Sequence, residues 1–113
     1  MGSTKLIRYL NDDFRKNFTG GKVVLSRGIR ALPKMDTAAI MLLVSTYDDF
    51  TAANAPYHEH ECSSFEYNGK KILWKIDYYD KDYEYASEDP ADITKTNRVL
   101  TIMLADEYWV HII

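Results

Sequence analysis

The sequence predicts an α+β fold: an N-terminal helix packed on a small, mainly antiparallel sheet of about five strands. Three observations carry this reading. Leu6, Leu10, Phe14 and Phe18 recur every four residues, with Ile7 beside them, which is the spacing of one helix face. Asn68-Gly69 separates two β-rich runs, 60–67 and 71–79, and that dipeptide favours the positive-φ geometry of a tight hairpin. In the second run Ile72, Trp74 and Ile76 alternate with Leu73, Lys75 and Asp77, so one face of the strand is strongly apolar.

The first helix spans 4–18. Ser3 or Thr4 can cap its start, Gly20-Gly21 supplies a stop, and Arg8, Asp12, Asp13, Arg15 and Lys16 form its wet face. Residues 22–26 read as a short strand, Gly28 marks a turn or bulge after it, and Pro33 breaks the next stretch. Residues 38–47 are divided. Ala-Ala-Ile-Met-Leu-Leu favours helix and Val44-Ser45-Thr46-Tyr47 favours strand, and strand is the reading adopted. Asn54 and Pro56 make 50–57 a loop, and Pro90 with many acids makes 80–96 a long one, of a length often tied to function. The closing stretch, 98–109, fits a buried strand or a buried helix; Val99, Thr101 and Ile102 favour strand. The expected core is Leu6, Leu10, Phe14, Val24, Leu42, Trp74, Ile76, Leu100 and Ile102.

With 113 residues the chain fits a single domain, 1–113, and 46% hydrophobic with 27% charged residues argues against disorder. A net charge of −3 leaves no basic footprint, so direct nucleic-acid binding is not expected. The single cysteine, Cys62, excludes an internal disulfide framework. The longest apolar run, 40–44, is too short to cross a bilayer, and the start resembles neither a signal peptide nor a myristoylation site. A cytoplasmic protein is expected.

Several groups are candidates for chemistry. In His58-Glu59-His60-Glu61-Cys62, an extended backbone would put His58, His60 and Cys62 on one face, and imidazole with thiolate suits zinc. Three such ligands are splayed over roughly 13 Å of strand, so a metal would require a bend. His111 could contribute only if the chain end folded back. Cys62 with either histidine is the sole Cys/His pairing, and a lone cysteine is more often inert. No phosphate-cradling loop is present, because Val23 follows Gly20-Gly21-Lys22. No cofactor is implied.

The segment 77–85, Asp-Tyr-Tyr-Asp-Lys-Asp-Tyr-Glu-Tyr, interleaves tyrosines with carboxylates. Tyrosine gives large contact area at low entropic cost, and carboxylates steer a basic partner. Asp77, Tyr79, Asp80, Asp82, Tyr83, Glu84 and Tyr85 are therefore the candidate surface for a basic protein partner. The competing reading is an ordinary strand edge, with tyrosines inward and charges in solvent.

Leu10-Asn11-Asp12-Asp13-Phe14-Arg15, Asn54-Ala55-Pro56-Tyr57-His58-Glu59-His60-Glu61, Trp74-Lys75-Ile76-Asp77-Tyr78-Tyr79-Asp80, Ser87-Glu88-Asp89-Pro90-Ala91-Asp92 and the run 96–108 together resemble a bacterial family, domain of unknown function 3768. The resemblance covers nearly the whole chain. It implies a small cytoplasmic bacterial protein, often carried on plasmids or other mobile DNA, and no particular activity. Ala55 stands where the family pattern has an aspartate, and His58 where it has a glycine; Glu59 and His60 match.

Two functional expectations follow, with a homodimeric accessory protein as a third. The first is a non-enzymatic inhibitor, of anti-CRISPR or anti-restriction type, that presses its acidic tyrosine face on a basic partner. The second is a small metal-dependent hydrolase or nuclease using Glu59, His60 and Asp77, with Arg98 as an anion clamp.

Overall fold

The computed structural model describes residues 2–108. In chain order these form α1 (Gly2–Asn17), β1 (Gly21–Leu25), α2 (Arg27–Arg30), α3 (Lys34–Thr46), β2 (Cys62–Tyr67), β3 (Lys70–Tyr79), β4 (Asn97–Leu104) and a 3-10 turn at Ala105–Glu107. The strands make one mixed sheet in the order β1-β4-β3-β2, with β1 parallel to β4 and the other neighbours antiparallel. The α+β class and the mostly antiparallel sheet agree with the sequence. His111 lies outside the described residues, as does Trp109, the last residue of the expected strand 98–109.

Alternation sorts the sheet into two faces. Val23, Leu25, Leu100, Ile102, Ile72, Trp74 and Ile76 share the inner face, where Phe14, Ile29, Ile40 and Val44 from the helices close the core. Lys75, Asp77 and Tyr79 belong to the outer face, opposite Thr101, Val99 and Asn97 of β4. Asn68 and Gly69 carry φ of 50° and 77°, the double positive-φ turn expected between β2 and β3.

The sheet has four strands among the described residues, because 38–46 is helical, with Tyr47 as its extended C-cap, and not a strand. The run Ala38-Ala39-Ile40-Met41-Leu42-Leu43 is made mostly of strong helix formers, and Ile40 and Val44, one turn apart, are both buried on the core. The strand-favouring tail is absorbed by the helix end. Ser45 and Thr46 return their hydroxyls to the Leu42 carbonyl, 2.8 and 2.9 Å away. Leu42 consequently points away from the sheet and is 62% exposed.

Three further core expectations fail for geometric reasons. A spacing of four advances about 40° around a helix at each step. The buried face of α1 therefore runs through Ile7, Asn11, Phe14 and Arg15, leaving Leu6 exposed and Leu10 half-buried. Val24 sits on the outer face of an edge strand and is exposed.

Glu107 ties the last described turn to α2. Its carboxylate accepts from Ser26 Oγ at 2.6 Å, from the Leu104 amide at 2.9 Å and from the Gly28 amide at 2.9 Å. A side chain at Gly28 would place its Cβ 2.7 Å from that carboxylate, so the glycine allows the close approach of Glu107, which any larger residue would displace.

Candidate functional site

A polar cluster lies beneath α1, at the end of the inner face where the apolar core stops. β3 contributes Tyr78 and β4 contributes Arg98, which sit opposite each other in the antiparallel register. The loop before β2 contributes Glu59. Asn11, fully buried, joins all three. Its amide nitrogen donates to the Glu59 carbonyl (2.9 Å) and to the Tyr78 hydroxyl (2.7 Å), and its oxygen accepts from Arg98 Nε (2.8 Å). The Tyr78 hydroxyl in turn donates to the Glu59 carboxylate at 2.9 Å. Burial, with Glu59 nearby, lifts the Tyr78 phenol well above its ordinary range, so it remains a donor. The Arg98 guanidinium lies over the Tyr78 ring, 5.2 Å from its centroid, and is lowered from its ordinary pKa by burial.

Next to this cluster Arg15 is 1% exposed, although its place in the sequence suggests the wet face of the helix. It caps α3: Nη1 donates to the carbonyls of Val44 and Tyr47, both at 2.8 Å, near the negative end of that helix. Nη2 pairs with Asp12 at 3.0 Å, and Asp12 also meets His60 Nδ1 at 2.9 Å. The His60 ring stacks on Phe50, with centroids 3.7 Å apart. Arg15 Nε has no hydrogen-bond partner among the described residues, but the guanidinium sits over Phe50 and Trp74, 5.3 and 5.1 Å from their centroids. Asn11, Asp12, Arg15 and Tyr78 were not among the candidate site residues. The one signal for the first three was their place in the motif 10–15.

The zinc geometry considered from sequence does not form. Residues 58–60 are not extended: His58 and His60 have φ of 60° and 55°, and β2 begins only at Cys62. His60 turns inward to Asp12 while His58 is exposed. The His58 backbone occupies the left-handed region that glycine adopts without strain. Among the described residues, no three His, Cys, Asp or Glu side chains gather to hold a metal ion. Burial, reinforced by Glu61 and Asp77, raises the Cys62 thiol, which disfavours the nucleophilic thiolate. Glu59, His60 and Arg98 come together around α1, whereas Asp77 points from the other face of the sheet and pairs with Lys75.

The candidate partner surface is brought together on that outer side. Tyr79 stands 6.2 Å from Tyr83, ring to ring, and the Lys22 ammonium lies 4.1 Å from the Tyr83 centroid. Asp80 Oδ1 accepts from the amides of Asp82 (3.2 Å) and Glu84 (3.0 Å), and Tyr83 takes the positive-φ position this tight turn needs. The Tyr85 carbonyl accepts from the Asp80 amide at 2.8 Å, and Ala86 bridges back to Tyr79. Asp82, Glu84 and Tyr85 are exposed, Tyr85 by 73%. Of the seven candidates, Asp77 has its charge matched locally by Lys75, and Asp80 spends its carboxylate on the turn.

A family model described as "Protein of unknown function (DUF3768)" matches residues 25–107. The chain belongs to this DUF3768 family. No curated protein and no solved structure matches it. The DUF3768 match starts beside Ser26 and ends at Glu107, the two residues joined at 2.6 Å. It includes Glu59, His60, Tyr78 and Arg98 but leaves out α1, which supplies Asn11, Asp12 and Arg15. No helix of the described residues is long and apolar enough to cross a membrane.

Proposed function

We propose that this DUF3768 chain is a non-enzymatic binding protein of the cytoplasm that presents the turn 80–85 to a basic protein partner. An inhibitor of a nucleic-acid-processing complex, encoded on mobile DNA, is the concrete form. The observation that supports this reading is the exposure of Tyr85 beside Asp82 and Glu84 on a turn already fixed by Asp80. A preformed turn loses little conformational entropy on docking, tyrosine supplies contact area, and the carboxylates steer the encounter. The polar residues of the hydrolase alternative are, by contrast, engaged within the protein: Glu59 with Tyr78, His60 with Asp12, Asp77 with Lys75.

The test is capture of partners from host lysate by the tagged protein and by its Asp82→Lys/Glu84→Lys variant. Asp80 is left intact because it holds the turn. A stoichiometric basic partner that the wild type retains and the variant loses supports the reading. Equal capture by both proteins, or hydrolysis of a phosphodiester or ester substrate that fails in His60→Ala, counts against it.

A further inference from the structure

Arg98 is 4% exposed, yet no carboxylate of the described residues lies within ion-pair distance of it. Nε is taken by Asn11 and Nη2 by the Pro90 carbonyl, whereas Nη1 makes no hydrogen bond to a described residue. A buried guanidinium whose direct hydrogen-bond acceptors are neutral, with the Glu59 carboxylate acting on it only from beyond contact, is a costly arrangement, and such groups gather at binding sites. It lines a cleft of about 340 Å³ between α1, the α1–β1 connection and the long loop, together with Leu10, Asp13, Phe14, Gly20 and Ile93. That volume lies within the range of small-molecule sites. The walls are mostly apolar, from Leu10, Phe14 and Ile93. Gly21, paired with Arg98 across the parallel strands, lets the Phe14 ring pack against β1, since a Cβ there would fall 2.8 Å from that ring.

The cleft has a second pole. Asp13 is exposed, and among the described residues its side chain accepts a hydrogen bond from Asn17 of its own helix alone and pairs with no cation. A plain anion drawn to Arg98 would meet the repulsion of this carboxylate. A molecule carrying its own ammonium group would satisfy both poles and lay its hydrocarbon between them.

We infer that the cleft between Arg98 and Asp13 is a binding site for a small amino carboxylic acid, with the carboxylate on Arg98, the ammonium toward Asp13 and an apolar chain against Leu10, Phe14 and Ile93. This goes beyond the partner-binding reading and does not rest on it, since the cleft uses none of residues 77–85. The ligand carboxylate would give the buried guanidinium the anionic hydrogen-bond acceptor that its protein neighbours do not provide.

Calorimetric titration of the whole protein with leucine, norleucine, γ-aminobutyrate and ε-aminocaproate tests the site, with caproate and hexylamine as one-ended controls. At least one amino acid is expected to bind saturably, and each control to bind roughly tenfold to a hundredfold more weakly, the value of one charged hydrogen bond. The spacing of the best ligand reports the distance between the poles. Asp13→Asn should weaken the amino acid by a similar factor while leaving caproate unchanged or improved. Ile93→Arg, at an exposed wall position, should abolish binding without shifting the thermal midpoint. No saturable binding by any of the four overturns the inference. So does caproate binding as well as its amino analogue, or binding untouched by both variants.

Discussion

Tyr78 and Tyr79 are adjacent in β3, and strand parity sends them to opposite faces of the sheet. Tyr78 enters an inner cluster in which Asn11 and Glu59 satisfy its hydroxyl and Asn11 holds Arg98 Nε. Tyr79 opens onto Tyr83 and the acidic turn, whose order comes from Asp80 and local amides. Both regions combine tyrosine, carboxylate and a basic residue. The first links four segments distant in sequence, so its hydrogen bonds hold the fold. The second is nearly self-contained, so its side chains are free to act on something else.

Substitutions on the two sides should therefore differ sharply in cost. The largest effect is expected from Arg15→Ala, which strips the end of α3 of its donors and leaves Asp12 with only His60. A loss of about 3–5 kcal/mol is expected for breaking a buried charged network, measured by urea unfolding; a loss comparable to a surface substitution would mean that water replaces the guanidinium. Asn11→Ala comes next, at about 2 kcal/mol, because Arg98 Nε and the Glu59 carbonyl lose their partner together. Tyr79→Ala should cost clearly less than Tyr78→Ala, and equal costs would break the comparison outright.

Glu61 provides a test through pH. Burial, with Glu59 adding to it, raises its carboxyl. The folded state then holds that proton more tightly than the unfolded state, so stability is lost as pH rises through the lifted value. Glu61→Gln should raise the thermal midpoint at pH ~7, with the gain shrinking toward pH ~4, near the ordinary carboxyl value. The smallest effect belongs to Asp82→Lys/Glu84→Lys, expected to stay within ~0.5 kcal/mol of wild type because neither carboxylate holds the fold. A cooperative collapse in that variant would show the turn to be structural after all.

The elements most legible in the sequence were those in which local preference and tertiary demand agree. Asn68-Gly69 and the alternation around Trp74 specified the hairpin, and the β-branched run from Val99 specified β4. Residues 38–47 were misread because Val44, Ser45 and Thr46 prefer strand in isolation, and nothing local announces that Arg15, 29 residues away, will cap them as a helix end. The acidic surface was readable because it is made by contiguous residues. The inner cluster was only half readable. Glu59, His60 and Arg98 stood out by type, but a buried arginine and asparagine on an amphipathic helix look the same in sequence as solvated ones.

The hydrogen bond between Ser26 and Glu107 brings together the two ends of the segment that matches the family. A segment with touching ends has the geometry of a cassette, which can be lifted out and spliced into another chain with little distortion at the joints. Here the cassette would arrive incomplete. Without α1, the end of α3 loses its guanidinium cap, Trp74 loses the cation above its ring, and Arg98 and Glu59 lose the amide that joins them. Any host accepting residues 25–107 would have to supply a helix of its own carrying those same groups.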